Sequence, residues 1–218
     1  MQPTVITIDG PAASGKSTIG QMLAEALGYL YLDTGIMYRT TTLAALRAHI
    51  ELTDEVEVTK LAQNLDMSIN PARAQRDGRQ YTILLNGQDV TWDIRSPSVD
   101  SNVSLISSYP GVRQEMVKRQ RQIGERGQVV MVGRDIGTVV MPNALVKLFI
   151  TASPEERARR RWQDRQEQGH AADFEAILAD VNRRDYIDSS RQFSPLRAAE
   201  DAIIIDNTNR SPSSVLNE

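Results

Sequence analysis

A glycine-rich stretch near the start of the chain constrains the fold more than any other feature. Residues 10–17 read Gly-Pro-Ala-Ala-Ser-Gly-Lys-Ser and fit the pattern G-x-x-x-x-G-K-[ST], which is typical of a phosphate-binding loop. Residues 4–8 before it are all β-branched and predict a buried strand. After it, apolar residues recur at helical spacing from Ile19 to Ala26, which predicts a helix that ends at Gly28. The motif therefore lies between a strand and a helix, the setting in which it binds phosphate.

The geometry of such a loop explains its chemistry. Glycines let backbone N–H groups turn toward a phosphate, and the N-terminus of the following helix adds positive potential. The Lys16 ammonium can reach the β- and γ-phosphates of a nucleotide, and the Ser17 hydroxyl can ligate Mg²⁺, directly or through a water. The residues expected to bind the nucleotide are Gly10, Pro11, Ala12, Ala13, Ser14, Gly15, Lys16, Ser17 and Thr18.

The composition narrows the class of protein. The chain has 218 residues, enough for one large domain or a core with insertions. Its net charge of −3 does not suggest nucleic-acid binding, and its lack of cysteine excludes disulfides and thiolate metal sites. No apolar run approaches the length of a membrane span, so we expect a cytoplasmic protein without a membrane partner.

Strand-like and helix-like segments alternate along most of the chain, which predicts a parallel, doubly wound α/β sheet. Between residues 67 and 92 the pattern changes to short strand-like runs, the last of them at Val90-Thr91-Trp92. Asp77-Gly78 and Asn86-Gly87 separate these runs, and both are hairpin turn signals. This segment therefore predicts a small antiparallel insertion outside the parallel core.

Two polar segments follow the insertion. An apolar strand-like run ends in Gly133-Arg134-Asp135, and this pattern is typical of the second acidic site of phosphate-loop proteins. Ser153-Pro154 then predicts the start of a helix, which carries four arginines in the five positions from Arg157 to Arg161. Such a run is usually a solvated helix face. Beside a phosphate loop it is also suited to neutralise the charge of a transferring phosphoryl group.

Several motifs occur together with the phosphate loop in a particular order. They are Asp33-Thr34-Gly35 with Tyr38-Arg39, then Gly133-Arg134-Asp135-Ile136-Gly137-Thr138, then Arg184-x-x-x-Asp188-x-x-Arg191 followed by Ser194-Pro195-Leu196. By spacing alone, the Arg184, Asp188 and Arg191 set is equally well interpreted as an ion-pair network along a helix. Taken in order, the motifs resemble those of bacterial cytidylate kinases, and the resemblance covers nearly the whole chain. The family usually has serine at position 34, where the threonine of this chain keeps the hydroxyl.

The resemblance implies a fold and a division of the chain. The fold is a three-layer α/β/α phosphate-loop kinase with a five-stranded parallel sheet in the order 2-3-1-4-5. Residues 1–34, 97–153 and 173–218 would form the core. Residues 35–96 would form the monophosphate-binding region with its antiparallel insertion, and residues 154–172 would form a lid.

The resemblance also implies an activity, the transfer of a phosphoryl group from ATP to CMP or dCMP with Mg²⁺. The expected partners are these nucleotides alone, without nucleic acid, and a monomer is expected. Lys16 and the lid arginines Arg157, Arg160 and Arg161 would be catalytic, and no general base is required. The residues implied to bind the monophosphate substrate are Thr34, Tyr38, Arg39, Ser104, Arg113, Arg134, Asp135, Arg184, Asp188 and Arg191.

Chemical roles can be assigned to most of these residues. A carboxylate can accept from the N4 amino group of cytosine, and Asp135 is the candidate. Arg113 can donate to N3 and O2 with support from Ser104. Arg39, Arg134 and Arg191 would hold the monophosphate, and Arg184 and Asp188 would contact the sugar. An alternative role for Asp135, the organisation of Mg²⁺, stays open.

Three alternatives compete with this interpretation. A kinase for another nucleoside monophosphate such as UMP would share most of the motifs. A GTP switch would need an N-K-x-D guanine motif, which the sequence lacks. A transporter or remodelling ATPase would be expected to carry L-S-G-G-Q or a membrane segment, and the sequence has neither.

Overall fold

The structure is a computed structural model that describes residues 4–71, 77–167, 169 and 171–216. The chain divides into two compact units. The first unit contains residues 1–34 and 120–218, and the second contains residues 35–119. In the part of the chain that the structure describes, no helix combines the length and the apolar character needed to cross a membrane.

A five-stranded parallel sheet forms the centre of the first unit. Its strands, numbered along the whole chain, are β1 (Val5–Asp9), β2 (Leu30–Asp33), β6 (Val129–Gly133), β7 (Val146–Thr151) and β8 (Ile203–Asp206). Their order in the sheet is β2-β6-β1-β7-β8. Counted only among themselves, the five strands have the order 2-3-1-4-5, so the predicted topology is confirmed.

Helices cover this sheet, and the α/β class is confirmed. They are α1 (Lys16–Leu27), α6 (Pro154–Glu167), α7 (Phe174–Ser190) and α8 (Pro212–Leu216), with the last residues of α5 (Pro110–Gly124). Every residue of β1 and of β6 is buried, as expected for central strands of a parallel sheet. Ile19 and Ala24 of α1 pack into the same apolar core.

Local signals set the ends of these helices as predicted. Gly28 has a φ of 67° and its N–H bonds to the last turn of α1, which confirms the glycine cap. Helix α6 begins at Pro154, and the Ser153 hydroxyl accepts a hydrogen bond from the Glu156 N–H at 3.2 Å. Helices α6 and α7 share a small core of their own, formed by Ala158, Ile177 and Val181 with Trp162 and Phe174 around it.

The second unit combines helices with a small antiparallel sheet. Its helices are α2 (Gly35–Arg47), α3 (Glu55–Gln63), α4 (Pro97–Ile106) and most of α5, with a 3-10 turn at Asp93–Arg95. Its strands are β3 (Met67–Pro71), β4 (Tyr81–Leu85) and β5 (Gln88–Asp89), in the order β3-β4-β5. The predicted antiparallel insertion is therefore present.

The third strand of the insertion lies at Gln88–Asp89, so the strand predicted at Val90-Thr91-Trp92 is wrong. Asn86 and Gly87 have φ values of 50° and 74°, which is a tight two-residue turn that pairs Leu85 with Gln88 at once. The ladder ends early because the Thr91 hydroxyl accepts from the Ile83 N–H at 3.0 Å. A side chain has replaced the backbone in this pairing.

Residues 97–119 fall with the second unit, whereas the resemblance grouped them with the core. The reason is packing, since α4 lies against α2 and against the Asp93–Arg95 turn. Tyr109, which follows α4, donates its hydroxyl hydrogen to the Leu52 carbonyl at 2.8 Å. These contacts tie residues 97–109 to the start of the second unit.

Candidate active site

The phosphate loop follows β1 and leads directly into α1, as predicted. Gly10 has a φ of 150°, and a side chain at this position would collide with the Ile150 carbonyl. Gly15 has a φ of 90°, in the region that favours glycine. Ser17 and Thr18 lie in the first turn of α1, so the loop amides and the helix N-terminus form one continuous anion-binding surface.

Lys16 is buried at the start of α1. Its ammonium donates to the Pro11 carbonyl at 2.8 Å, within the same loop. Burial, together with the positive charge of Arg134, lowers its pKa to about 7, although the carboxylates of Asp33, Asp188 and Asp9 act in the opposite direction. A desolvated lysine of this kind gains charge stabilisation when a phosphate arrives.

Asp9, at the end of β1, is a residue that the sequence analysis missed. It is only 4% exposed, and its carboxylate accepts hydrogen bonds from the Ile136 and Gly137 N–H groups at 2.8 and 2.7 Å. Burial raises its pKa to about 6, although both hydrogen bonds lower it. A Cβ at Gly137 would crowd the Thr7 hydroxyl and approach Asp9, so this position has little room for a side chain.

These contacts fix the segment after β6, which carries Arg134 and Asp135. Ile136–Val140 forms a π-helical turn, and the Val139 and Val140 N–H groups bond to the Asp135 carbonyl. Asp135 itself is 4% exposed. The predicted acidic residue after β6 is therefore held by the strand that carries the phosphate loop.

Thr34 stands at the end of β2, next to Gly133. Its hydroxyl donates to the Val132 carbonyl at 2.9 Å, and its backbone N–H donates to the same oxygen. Gly133 lacks a Cβ, which leaves room for the threonine side chain. In this structure the hydroxyl predicted to bind substrate holds two strands together.

Arginines gather around Asp188 near the end of α7. Arg134 Nε lies 2.8 Å and Arg191 Nη2 lies 3.4 Å from its carboxylate. Burial raises the pKa of Asp188, but the charges of Arg134 and Arg191 outweigh it and leave the pKa below its usual range. Arg184 pairs instead with Asp180 at 3.0 Å. The structure thus brings Arg134, Asp188 and Arg191 together, and Arg184 has a separate partner.

The predicted lid arginines differ in their surroundings. Arg157 is 2% exposed and donates to the Ala152 carbonyl at 2.9 Å, the Ala12 carbonyl at 3.3 Å and both carboxylate oxygens of Asp185. Arg160 pairs with Glu156 at 3.0 Å and donates to the Asn207 carbonyl at 2.7 Å.

Arg161 pairs with Asp180 at 2.9 Å, on the neighbouring helix α7. Among the residues that the structure describes, Arg161 is held by one carboxylate, whereas Arg157 has four acceptors. Arg157 joins α6 and α7 to the phosphate loop, and its Asp185 partner was not anticipated from the sequence.

The remaining predicted substrate residues belong to the second unit. Arg113 is buried, donates to the Ser107 carbonyl at 3.0 Å, and lies over the Tyr38 ring at 5.3 Å from its centre. Arg39 pairs with Asp100 at 2.6 Å and donates to the Ile94 carbonyl. Ser104 lies in α4, where its carbonyl accepts from the Ser107 hydroxyl.

A magnesium ion bound to a nucleotide needs few protein ligands. Mg²⁺ keeps several waters and is held by one or two protein oxygens together with phosphate oxygens. Among the described residues no group of three or more acidic or histidine side chains could hold a metal by itself. The Ser17 hydroxyl lies 3.2 Å from the Asp33 carboxylate, which gives two neighbouring oxygens at the start of α1. These residues fit a nucleotide-bound Mg²⁺.

A parallel sheet in this order, with a phosphate loop after its central strand, defines a phosphate-loop kinase fold. The family model described as cytidylate kinase matches residues 6–218. The chain therefore belongs to the cytidylate kinase family, as predicted. It is an enzyme of the nucleoside monophosphate kinase class that uses ATP as phosphoryl donor.

Individual relatives agree with this family. The chain is 51% identical over 211 residues to the cytidylate kinase of Chloroflexus aggregans, covering 97% of this chain and 90% of the relative. It is 48% identical over 206 residues to the cytidylate kinase of Bacillus subtilis, covering 94% and 90%. A crystal structure of an uncharacterized protein from Eubacterium ventriosum aligns with a TM-score of 0.51 at 11% identity, covering 98% of this chain and 93% of that one. The last comparison supports the fold alone.

Proposed function

We propose that this protein transfers the γ-phosphoryl group of ATP to CMP and dCMP. The observation that supports the proposal most directly is the buried Lys16, whose ammonium lies within the phosphate loop. Its charge interacts electrostatically with those of Arg134 and Asp188. A cation that has lost its hydration shell stabilises developing phosphate charge more strongly than one in water. The phosphate loop is thus suited to bind one phosphoryl group, and the arginines that follow β6 and α7 are suited to bind a neighbouring one.

The chain contributes positioning and charge to the reaction. Phosphoryl transfer passes through a loose transition state whose charge spreads over the equatorial oxygens, so alignment and neutralisation supply most of the rate. Lys16 would leave the Pro11 carbonyl and bind the β- and γ-phosphates. The loop amides would bind the remaining phosphate oxygens.

Ser17 is proposed to hold Mg²⁺ with Asp33, directly or through a water. A bound Mg²⁺ would supply positive charge that neutralises the phosphate groups of the nucleotide. The support is the 3.2 Å contact between the Ser17 hydroxyl and the Asp33 carboxylate. Substitution of Ser17 by alanine is therefore expected to raise the Mg²⁺ concentration required for half-maximal rate.

Substrate binding is proposed for the residues carried over from the family. In the first unit, Arg134 and Arg191 would bind the monophosphate, and Asp188 would orient both arginines while it contacts the sugar with Arg184. Thr34 and Asp135 complete this set, with Asp135 reading the cytosine amino group or organising Mg²⁺. In the second unit, residues 35–96 form the proposed monophosphate-binding region, and the proposed contacts are Tyr38, Arg39, Ser104 and Arg113.

Residues 154–172 are proposed to act as a lid over ATP. Arg160 and Arg161 support this role because each is held by few acceptors, which an incoming phosphate can replace. Arg157 is proposed to act with them, although its four acceptors mean that its contribution includes the support of the phosphate loop.

The experiment that tests the function is a coupled assay of ADP release with CMP, dCMP, UMP and AMP as acceptors. The proposal requires kcat/KM for CMP and dCMP to exceed that for UMP and AMP by at least about tenfold. A preference for UMP would assign the chain to another monophosphate and overturn the proposed specificity. Size-exclusion chromatography with light scattering tests the proposed monomer.

A further inference from the structure

Asn207 lies at the first position after β8, outside every motif that the sequence analysis used. It is 1% exposed, and its contacts reach three parts of the first unit. The side-chain amide donates to the Ser14 carbonyl in the phosphate loop at 2.8 Å. The backbone N–H donates to the Thr151 carbonyl at the end of β7 at 2.8 Å, and the backbone carbonyl accepts from Arg160 at 2.7 Å.

The phosphate loop is shaped around this side chain. A Cβ at Gly15 would meet the Asn207 amide nitrogen far inside van der Waals distance. Arg160 approaches the same point from α6, since its guanidinium lies 3.4 Å from where that Cβ would be. Gly15 is therefore the position at which the phosphate loop, Asn207 and Arg160 come together.

The turn that carries Asn207 is held from both sides. The Asp206 carboxylate accepts from the Thr208 N–H at 2.9 Å and from the Thr208 hydroxyl at 2.6 Å, which is an Asx turn. The Thr208 hydroxyl oxygen in turn accepts from the Ser153 N–H at the start of α6. The residue between Asp206 and Thr208 thus has little freedom to move away from the loop.

The asparagine amide is only partly satisfied where it lies. Its Oδ1 atom is buried and has no hydrogen-bond partner among the described residues. A buried polar atom without a partner lowers stability, but an apolar side chain of similar size would leave the Ser14 carbonyl without its donor. The amide group is retained at a cost, and the group it contacts is the loop that binds phosphate.

We infer that Asn207 is a positioning residue that holds the phosphate loop and Arg160 in a common geometry for ATP. The inference rests on the proposed function insofar as ATP is the nucleotide at this loop. It assigns to Asn207 no contact with CMP. Loss of the side-chain amide would release Ser14 and Gly15, whereas the Asn207 backbone carbonyl would still accept from Arg160, so the phosphate loop would no longer be held at a fixed position relative to Arg160.

The test compares Asn207→Ala with Asn182→Ala, an exposed asparagine on α7. For Asn207→Ala we expect the KM for ATP to rise about tenfold, the effect of losing roughly one well-placed hydrogen bond, while the KM for CMP changes less than about twofold. Calorimetric titration with ATP and Mg²⁺ in the absence of CMP should show the same loss of affinity. Asn182→Ala should leave both constants unchanged.

Coupling to Arg160 separates positioning from general loosening. The effect of Arg160→Ala on kcat should be smaller in the Asn207→Ala background than in the parent, because the two residues act through one geometry. Multiplicative effects, or an unchanged KM for ATP, would overturn the inference. If Asn207→Ala lowers the melting temperature, Asn207→Leu, which keeps the volume and lacks the amide, replaces it in the test. The same rise in the KM for ATP is expected, and an unchanged KM would overturn the inference. Because ATP binding is measured without an acceptor, failure of the CMP specificity would leave this result intact.

Discussion

Replacement of Asp9 by asparagine tests whether a buried carboxylate supports the segment that carries Asp135. The two groups have the same shape, but the amide offers one acceptor where the carboxylate offers two. The Ile136 and Gly137 N–H groups both need an acceptor in a site that is 4% exposed. One charged hydrogen bond is lost, at about 1.5–3 kcal/mol, and a buried N–H is left unpaired, at about 1–3 kcal/mol.

The charge of Asp9 acts in the opposite direction. Its pKa is about 6 in the folded protein against an ordinary value of 3.8, so the folded state favours the protonated form. At pH 7 the ionised carboxylate therefore lowers the free energy of unfolding by about 3 kcal/mol relative to its protonated form. Asparagine removes this penalty. The net effect at pH 7 therefore lies between roughly no change and a loss of about 3 kcal/mol in the free energy of unfolding.

The pH dependence gives the clearer signal. A raised folded pKa stabilises the protein below 3.8, and that stability is lost as the pH rises through about 6. The parent should therefore lose about 2 kcal/mol relative to Asp9→Asn between pH 4.5 and pH 7. Lys16, whose folded pKa is about 7, begins to titrate toward the upper end of this range and is present in both proteins.

The assay is denaturant unfolding of both proteins at half-unit pH steps, with Asp201→Asn as a matched control. Asp201 is exposed, and its hydrogen bond to Lys147 lowers its pKa, so this substitution should give a small slope of opposite sign. If the difference in the free energy of unfolding between the parent and Asp9→Asn stays constant from pH 4.5 to pH 7, the raised pKa of Asp9 is refuted. The kcat of Asp9→Asn should fall, because the hydrogen bonds from Ile136 and Gly137 to Asp9 also hold the neighbouring Asp135 in place.

Three further substitutions test the proposed roles. Lys16→Ala should keep the fold and lower kcat by about 10³-fold or more, measured by ADP release; a loss below tenfold would exclude it from the transition state. Asp135→Asn should weaken CMP use and narrow the CMP/UMP ratio of kcat/KM, because an amide can donate to O4 of uracil; an unchanged ratio would assign Asp135 to Mg²⁺ or phosphate. Arg157→Ala should lower both kcat and the melting temperature because it leaves Asp185 unpaired. An unaltered melting temperature would contradict the role of Arg157 in joining α6 and α7 to the phosphate loop.

Periodicity and turn chemistry predicted most of the fold. The helix after the phosphate loop ends at Gly28, and α6 starts at Pro154, because capping acts within a few residues of sequence. The strand order came from the family resemblance, which carries information that spacing does not. The failure at Val90-Thr91-Trp92 has a tertiary cause, since the Thr91 hydroxyl takes the place of a backbone group in the ladder.

The residues of the candidate site were predicted where a sequence motif includes them. They were missed where they depend on contacts with residues far away in sequence. Asp9 is bonded to Ile136, which is 127 positions away, and nothing local distinguishes its carboxylate from any other at the end of a strand. Asp185 and Asn207 were missed for the same reason. The arginine run was found, but which of its members is buried depends on the helix face that meets α7.

The place of β8 in the sheet has a consequence for the order in which the protein loses its structure. As an edge strand it bonds to β7 alone, and Ile203 and Ile204 remain largely exposed, so little apolar burial resists its local opening. Asn207 follows it directly and contacts the phosphate loop. The contacts of Asn207 with Thr151 and Ser14 hold only while β8 stays paired with β7, so opening of this edge would release the phosphate loop from Asn207 while the central strands β1 and β6 keep their protection from amide exchange. On heating, ATP affinity would fade before the cooperative transition begins.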